Sequence, residues 1–84
     1  MAVRIRLKRM GRRHRPFYRI VAADQRAARD GKVLEMVGHY DPLAADKEKQ
    51  VVFKRDRVQH WLGVGAQPTR TVAGMLKRAG IAKP

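Results

Sequence analysis

The most constraining feature of this sequence is a strict alternation of apolar and basic residues near its beginning, at positions 3–8. The odd positions hold three apolar side chains: Val3, Ile5 and Leu7. The even positions hold three basic ones: Arg4, Arg6 and Lys8. Because successive side chains of a β-strand point to opposite faces, the pattern predicts a half-buried strand with a row of cations about 7 Å apart. Such a row suits a phosphate backbone, although an ordinary solvated sheet face shows the same alternation.

Three further strands are predicted from runs of β-branched and aromatic residues. These strands span residues 17–23, 33–40 and 51–53. A short basic loop at 9–16, punctuated by Gly11 and Pro16, connects the first two strands and indicates a hairpin. Asp30 and Gly31 signal a turn before the third strand. The first part of the chain is therefore expected to form a sheet.

After the last strand the apolar period changes from two to 3.6, which predicts two short helices. Their apolar stripes consist of Val58, Trp61, Leu62 and Gly65 in the first and of Val72, Met75, Leu76 and Ala79 in the second. Asp56, with Gln59 three residues later, resembles a capping box for the first helix. The second helix begins either with Thr69 as its N-cap or with Pro68 in its first turn, and Gly80 suits its end.

The order of strands first and helices last indicates an α+β fold. We expect a small, mostly antiparallel sheet of about four strands, with the two short C-terminal helices packed on one face and Phe53 and Trp61 in the core. The length of 84 residues predicts a single domain, 1–84. The other face of the sheet is expected to stay free, and its cations to join the basic loops at 9–15 and 26–32 in one patch.

The charge balance indicates an anionic partner. The chain has 20 Lys and Arg against 7 Asp and Glu, a formal net charge of +13, and residues 1–32 hold 11 basic and 2 acidic residues, or +9 of it. Arg outnumbers Lys, and a guanidinium can bind two phosphate oxygens at once. No row of exposed strand aromatics is predicted, so the backbone and shape of structured RNA fit better than base-by-base reading of single strands.

Several classes of protein are excluded or disfavoured by residues and patterns that the sequence lacks. It contains no Cys and no Ser, which excludes a Ser or Cys nucleophile, disulfides and thiolate zinc sites. No apolar run is long enough to cross a bilayer, and the Arg-rich beginning does not resemble a signal peptide. We therefore expect a cytoplasmic protein that is not an enzyme and has no cofactor, no small-molecule substrate and no membrane partner.

Two alternatives come from other functional classes. A metal-dependent nuclease would use the four aspartates Asp24, Asp30, Asp41 and Asp56, but each is predicted at a turn or cap, where Asp has a structural role. The three histidines, His14, His39 and His60, match no metal-binding spacing, so no metal site is expected. A general DNA-binding protein is compatible with the charge, but no predicted helix has the basic face of a major-groove reader.

Long parts of the sequence resemble a known family. Residues 5–42 and 60–80 are similar to the bacterial small ribosomal subunit protein 16 family. The most specific segments are RPFYRIV at 15–21, RDGK at 29–32, VGHYDP at 37–42 and WLGVGAQPT at 61–69, in that order. Gln25 and the loop at 43–50 depart from the family pattern.

The resemblance implies a structural protein of the small ribosomal subunit that binds the 5′ region of 16S rRNA in the subunit body, assists 30S assembly and supports translation. The implied partners are 16S rRNA and neighbouring small-subunit proteins. Trp61 and Leu62 match a packing motif of the family. The RNA-facing residues carried over from the family are Arg4, Arg6, Lys8, Gly11, Arg12, Arg13, Arg26, Arg29 and Lys32. With the other residues of the basic loop, the candidate RNA-binding set is Arg4, Arg6, Lys8, Arg9, Gly11, Arg12, Arg13, His14, Arg15, Arg26, Arg29 and Lys32.

Overall fold

The fold is known from a computed structural model, which describes residues 2–26, 32–46 and 49–81, and only the backbone of Arg12. The strands in these ranges are β1 Val3–Arg12, β2 Arg15–Asp24, β3 Glu35–Tyr40, β4 Val51–Phe53 and β5 Gln67–Pro68. The helices are α1 Arg55–Gly63, which lies between β4 and β5, and α2 Arg70–Arg78.

The strands form one sheet in the order β4-β3-β2-β1-β5. All neighbouring pairs are antiparallel except β1 and β5, which are parallel. The expected α+β class with a mostly antiparallel sheet is confirmed. The fifth strand was not predicted, because β5 has only two residues and one of them is Pro68, which carries no signal for a strand.

The hairpin of β1 and β2 is longer than the sequence indicated. Its register runs without a break from the pair Val3 and Asp24 to the pair Arg12 and Arg15, so most of the predicted loop at 9–16 is strand and that loop assignment is wrong. Gly11 permits the extension. Its φ is +86°, and a Cβ at this position would overlap the carbonyl oxygen of Arg15, so only glycine allows the two strands to approach so closely.

The core lies between one face of the sheet and the two helices. Its fully buried side chains include Ile5, Ile20 and Val37 from the sheet and Val58 and Val72 from the helices. Leu62 is buried, and Phe53 and Trp61 are partly buried against the same cluster, as expected from the sequence. We call this side of the sheet the helix face and the opposite side the open face.

A β-bulge in β3 keeps its apolar residues on the correct side. The register between β2 and β3 shifts at Ile20 and Val21, and Val37 is the residue without a partner in β2. Val37 is fully buried in the core cluster, so the extra residue turns an additional apolar side chain toward the helices. From there on, His39 lies on the open face and Tyr40 on the helix face.

Two of the predicted helix boundaries are wrong and two are correct. Lys54, not Asp56, occupies the N-cap position of α1, and it makes no side-chain cap hydrogen bond. The helix begins there because it follows β4 directly and because the Lys54 amide donates to the Val37 carbonyl at 2.8 Å. Gly65, counted in the apolar stripe, lies beyond the helix end with φ +95°. Thr69 caps α2 and accepts from the Val72 amide, which decides between the two predicted starts, and Gly80 follows the C-cap with φ +74°.

Candidate nucleic-acid interface

The open face of the sheet carries the predicted row of cations. Because directly opposite residues in antiparallel strands share a face, the register places Arg4, Arg6 and Lys8 of β1 away from the helices. It also adds Arg19, which pairs with Lys8 and was missing from the predicted site. We call these four residues the basic stripe. Arg19 could have been found only by knowing the register between the two strands.

The basic stripe is flanked by basic residues at both of its ends. The turn with Arg13 and His14 lies at one end of the hairpin, and Arg26 and Lys32 lie beyond the other end. Each strand has ten residues, and at a rise of about 3.3 Å per residue this separates the two ends by about 30 Å. The predicted single patch is therefore an elongated band that follows the hairpin.

The described strand positions on the open face carry a net positive charge. Among the strand positions that the structure describes, those on the open face include no Asp or Glu. No carboxylate within the described ranges pairs with Arg4, Lys8 or Arg19. Val21 and Ala23 also lie on this face and are almost fully buried, with 2% and 0% exposure. The open face thus combines a packed apolar base with a band of positive charge, in which Arg19 is exposed and Arg4, Arg6 and Lys8 are half-buried.

Aromatic side chains occupy the hairpin end of the open face. Phe17 stacks on His39 with ring centroids 5.6 Å apart and planes 26° from parallel. Lys8, Arg19, His39 and Val52 form a continuous row across the four neighbouring strands. The bulge in β3 explains the position of His39 beside the stripe, because it sets which residues of the strand follow on each face.

Arg9 lies on the other side of the sheet. Its partner in β2 is Tyr18, and the unbroken register puts both on the helix face, in the section that extends beyond the core. The sequence assigned Arg9 to the same patch as Arg4 because it was expected in a loop. Since β1 continues through Arg9, the alternation continues as well and separates the two arginines.

Arg15 is engaged in an ion pair at the hairpin end. Its two guanidinium nitrogens Nη1 and Nη2 donate to Asp41 Oδ1 and Oδ2 at 2.7 and 2.8 Å. The hydrogen bonds from Arg15 lower the pKa of the Asp41 carboxyl, so this carboxylate stays ionised and part of the Arg15 charge is compensated. The geometry fits a tie between the start of β2 and the end of β3 better than a free phosphate ligand.

The remaining predicted residues are distributed around the ends of the hairpin. Arg26 is 85% exposed, with its Nε 3.7 Å from Asp24 Oδ1, and its amide donates to the same oxygen at 2.9 Å. Lys32, Arg13 and His14 are exposed. Gly11 lies in β1 and acts through its backbone, as described above. Arg29 and the side chain of Arg12 lie outside the described part of the structure.

A hydrogen-bonded cluster around the Glu35 carboxylate connects the sheet to the first helix. Glu35 of β3 accepts two hydrogen bonds of 2.7 Å from Arg57 and one of 3.0 Å from Trp61 Nε1. These donors, Arg57 first, lower the pKa of Glu35 to about 2. The cluster lies on the helix face, and its ion pair compensates the charge of Arg57. Its role is therefore to position α1 against the sheet.

The three candidate aspartates that the structure describes, Asp24, Asp41 and Asp56, do not gather into one centre. Asp24 and Asp41 accept hydrogen bonds from nearby backbone amides, and Asp56 lies in the first turn of α1. Within the described residues, no group of three or more His, Asp or Glu is close enough to hold a metal ion, and Asp30 lies outside them. In the same ranges no helix has both the length and the hydropathy needed to cross a membrane.

Comparison with known proteins identifies the family. The family model described as ribosomal protein S16 matches residues 9–69. The small ribosomal subunit protein bS16 of Rhodopirellula baltica is 54% identical over 80 residues, which cover 95% of this chain and 55% of that protein. The protein of the same name from Rickettsia rickettsii is 54% identical over 85 positions, 100% of this chain and 77% of the relative. The chain thus spans about half the length of the first relative and about three quarters of the second, and it belongs to the ribosomal protein S16 family.

Proposed function

We propose that this chain is a structural component of the small ribosomal subunit that binds 16S rRNA in its 5′ region and assists 30S assembly, without enzymatic activity. The relatives named above are small ribosomal subunit proteins, which supports the assignment to that particle. Its partners are then 16S rRNA and neighbouring small-subunit proteins, and its location is the ribosome in the cytoplasm. The proposed RNA-binding surface is the open face with the exposed residues at both ends of the hairpin.

The observation that carries this proposal is the basic stripe on a sheet face whose described strand positions include no Asp or Glu. Arg4, Arg6, Lys8 and Arg19 come from two adjacent strands and keep a fixed spacing. Because the paired strands fix the backbone positions of the four cations, the spacing of the row is set before binding, and the remaining ordering cost is that of the side-chain rotamers. A phosphate backbone satisfies such a row without any reading of bases, which matches recognition of RNA by shape.

Salt dependence is the physical signature of this mode of binding. Each phosphate that a Lys or Arg neutralises releases counterions, so the affinity falls as the salt concentration rises, with a slope of about −0.9 per contact for duplex DNA. Four contacts from the basic stripe alone give a slope of about −3.6 by the same rule. A protein with a formal charge of +13 also binds other polyanions, so specificity must be measured against competitors.

The test is a binding titration with a folded fragment of the 16S 5′ domain over a salt series. The triple variant Arg4→Gln, Arg6→Gln and Lys8→Gln should weaken binding by more than tenfold and make the salt slope shallower by about 3. A matched control removes the same number of charges elsewhere, at the exposed positions Lys49, Lys54 and Lys77, and should change the affinity by less than threefold.

Two outcomes would contradict the proposal. Equal losses in the two triple variants would mean that only the total charge matters. Equal affinity of the unmodified protein for the folded fragment and for random duplex DNA at physiological salt would mean that no specific RNA is recognised. Co-sedimentation with small ribosomal subunits after a high-salt wash tests the same assignment in the cell extract.

A further inference from the structure

A groove on the helix face holds two arginines that have no carboxylate partner in the described part of the structure. It opens where the end of β3 and the strand β4 meet the start of α1 and the end of α2, and its volume is about 520 Å³. We call it the Tyr40 groove. Its lining consists of Tyr40, Gln50, Val51, Arg55, Met75, Arg78 and Ala79. The basic stripe lies on the opposite face of the same sheet, so the two features do not belong to one surface.

The two arginines of the groove are held by neutral groups. Arg55 Nη2 donates to the Ala79 carbonyl at 2.6 Å, and Arg78 Nε donates to the Gly74 carbonyl at 3.4 Å. Arg15 and Arg57, by contrast, pair with carboxylates. The groove lining contains no acidic residue. Arg55 and Arg78 are therefore oriented by the fold but keep their full positive charge, and each has further N–H donors to offer an anion.

The end of α2 at this groove does not cancel that charge. A helix C-terminus carries about half a negative elementary charge, which opposes the binding of an anion. Two guanidinium groups exceed it, and Arg55 binds the carbonyl of the C-cap residue Ala79 directly. The net field at the groove is positive.

The other walls of the groove suit a flat aromatic ligand. Tyr40 stacks on Tyr18 with ring centroids 5.8 Å apart and planes 26° from parallel. Val51 adds apolar surface, and Met75, which is only 4% exposed, forms the base of the groove. Gln50 donates its amide to the Ala44 carbonyl at 3.3 Å, and its side-chain oxygen accepts no hydrogen bond within the described ranges. That oxygen is an acceptor for an exocyclic amino group of a base.

We propose that the Tyr40 groove binds one unpaired nucleotide of RNA. The base packs against Tyr40, Val51 and Met75, and the phosphate lies between Arg55 and Arg78. Arg9 pairs with Tyr18, which in turn pairs with Tyr40, so Arg9 lies in the same cross-strand row and would contact the RNA backbone next to the bound nucleotide. The inference rests on the proposed function only in taking RNA as the partner, and it implies that the chain contacts RNA on both faces of its sheet.

The test uses a single-stranded RNA tetranucleotide and follows the NMR signals of the Tyr40 ring and the Met75 methyl group. The double variant Arg55→Gln and Arg78→Gln should weaken binding at these signals about tenfold. Arg78→Gln alone should weaken it about threefold, and because Arg78 binds only a carbonyl of its own helix, this variant separates loss of binding from loss of the tie between α1 and α2. The matched control changes Arg70 and Lys77 to Gln on exposed positions of α2 and should have less than a twofold effect.

Several results would overturn the inference. Equal weakening by the control variant would mean that charge alone attracts the probe. Shifts of the same size with inorganic phosphate would exclude recognition of a base. Adenosine monophosphate binding as tightly as the tetranucleotide would assign the groove to a free nucleotide and exclude RNA. The triple variant of the basic stripe should leave the Tyr40 and Met75 shifts unchanged, so the groove and the open face can fail separately.

Discussion

The two faces of β1 differ in every physical respect although they belong to the same strand. Ile5 is fully buried between the sheet and the helices, whereas its neighbours Arg4 and Arg6 point to the open face. The apolar face contributes to the free energy of unfolding through burial and dispersion contacts. The basic face contributes charge, which destabilises the free protein slightly by self-repulsion. Along this strand, core packing and the proposed RNA binding fall on alternate residues.

The largest effect on stability is expected on the apolar face. Ile5→Ala removes a fully buried side chain and leaves a cavity among Ile20, Val58 and Val72, which should lower the free energy of unfolding by about 2–5 kcal/mol. Urea denaturation followed by circular dichroism measures it. A loss below about 1 kcal/mol would show that the core at this point is loosely packed and that the two faces are less different than described.

The next effect concerns the close contact of β3 with β4. A Cβ on Gly38 would overlap the Val52 carbonyl oxygen and come within 3.2 Å of Phe53 Cα, so Gly38→Ala should displace β4 and cost about 1–3 kcal/mol. Gly74→Ala is the matched control in α2, where nothing lies within 4 Å, and it should stabilise the protein by about 0.5–1 kcal/mol. Opposite signs in thermal denaturation are expected, and equal signs would contradict the contact.

A smaller, pH-dependent effect is expected from Glu35 on the helix face. Its pKa in the folded protein is lowered to about 2 by Arg57 and Trp61, against an ordinary value of 4.5. The folded state then binds this proton less readily than the unfolded state, so the contribution of Glu35 is present above about pH 4.5 and is lost as the pH falls toward 2. Glu35→Gln should therefore reduce stability at pH 7 and approach the unmodified protein near pH 2. A constant difference between the two proteins across this range would contradict the ion pair.

The smallest effect on stability is expected on the open face. Arg4→Gln removes a cation with no carboxylate partner in the described structure, so the free energy of unfolding should change by less than about 0.5 kcal/mol. The same variant should make the salt slope of RNA binding shallower by about 1. A large loss of stability together with an unchanged slope would assign Arg4 to the fold and reverse the comparison between the faces.

Local sequence patterns were sufficient for the class of fold and for most of the core. The alternation in β1 gave the correct face for Arg4 and Ile5, because a period of two leaves no choice once one face is buried. The capping box at Asp56 failed, since the start of α1 is set by the end of β4 and by the bond of Lys54 to β3, neither of which is visible locally. The placement of Arg9 in a loop beside Arg4 was wrong, because the hairpin is longer than the basic residues suggested and puts Arg9 on the helix face.

The Tyr40 groove could not be predicted from the sequence, because its walls come from segments that are distant along the chain. Its walls come from the end of β3, from β4, from the first residue of α1 and from the last turn of α2, which are separated by up to about forty positions along the chain. No periodicity connects such segments. The sequence also could not predict that Arg15 forms an ion pair with Asp41 while other arginines have no carboxylate partner among the described residues. Ion pairs between distant residues depend on the register of the whole sheet.

The two outer strands of the sheet also affect how the free protein behaves. β4 has three residues and β5 has two, and Pro68 in β5 offers no N–H to another chain. Long unpaired strand edges are templates for edge-to-edge aggregation, and β4 and β5 themselves are too short to serve as such. In the described structure, however, β5 pairs only with Arg4 and Ile5, so most of the outer edge of the ten-residue strand β1 has no neighbouring strand. The uncovered part of β1 holds the basic residues Arg6, Lys8 and Arg9, and the net charge of +13 makes copies of the chain repel one another, so charge opposes edge-to-edge pairing at this strand.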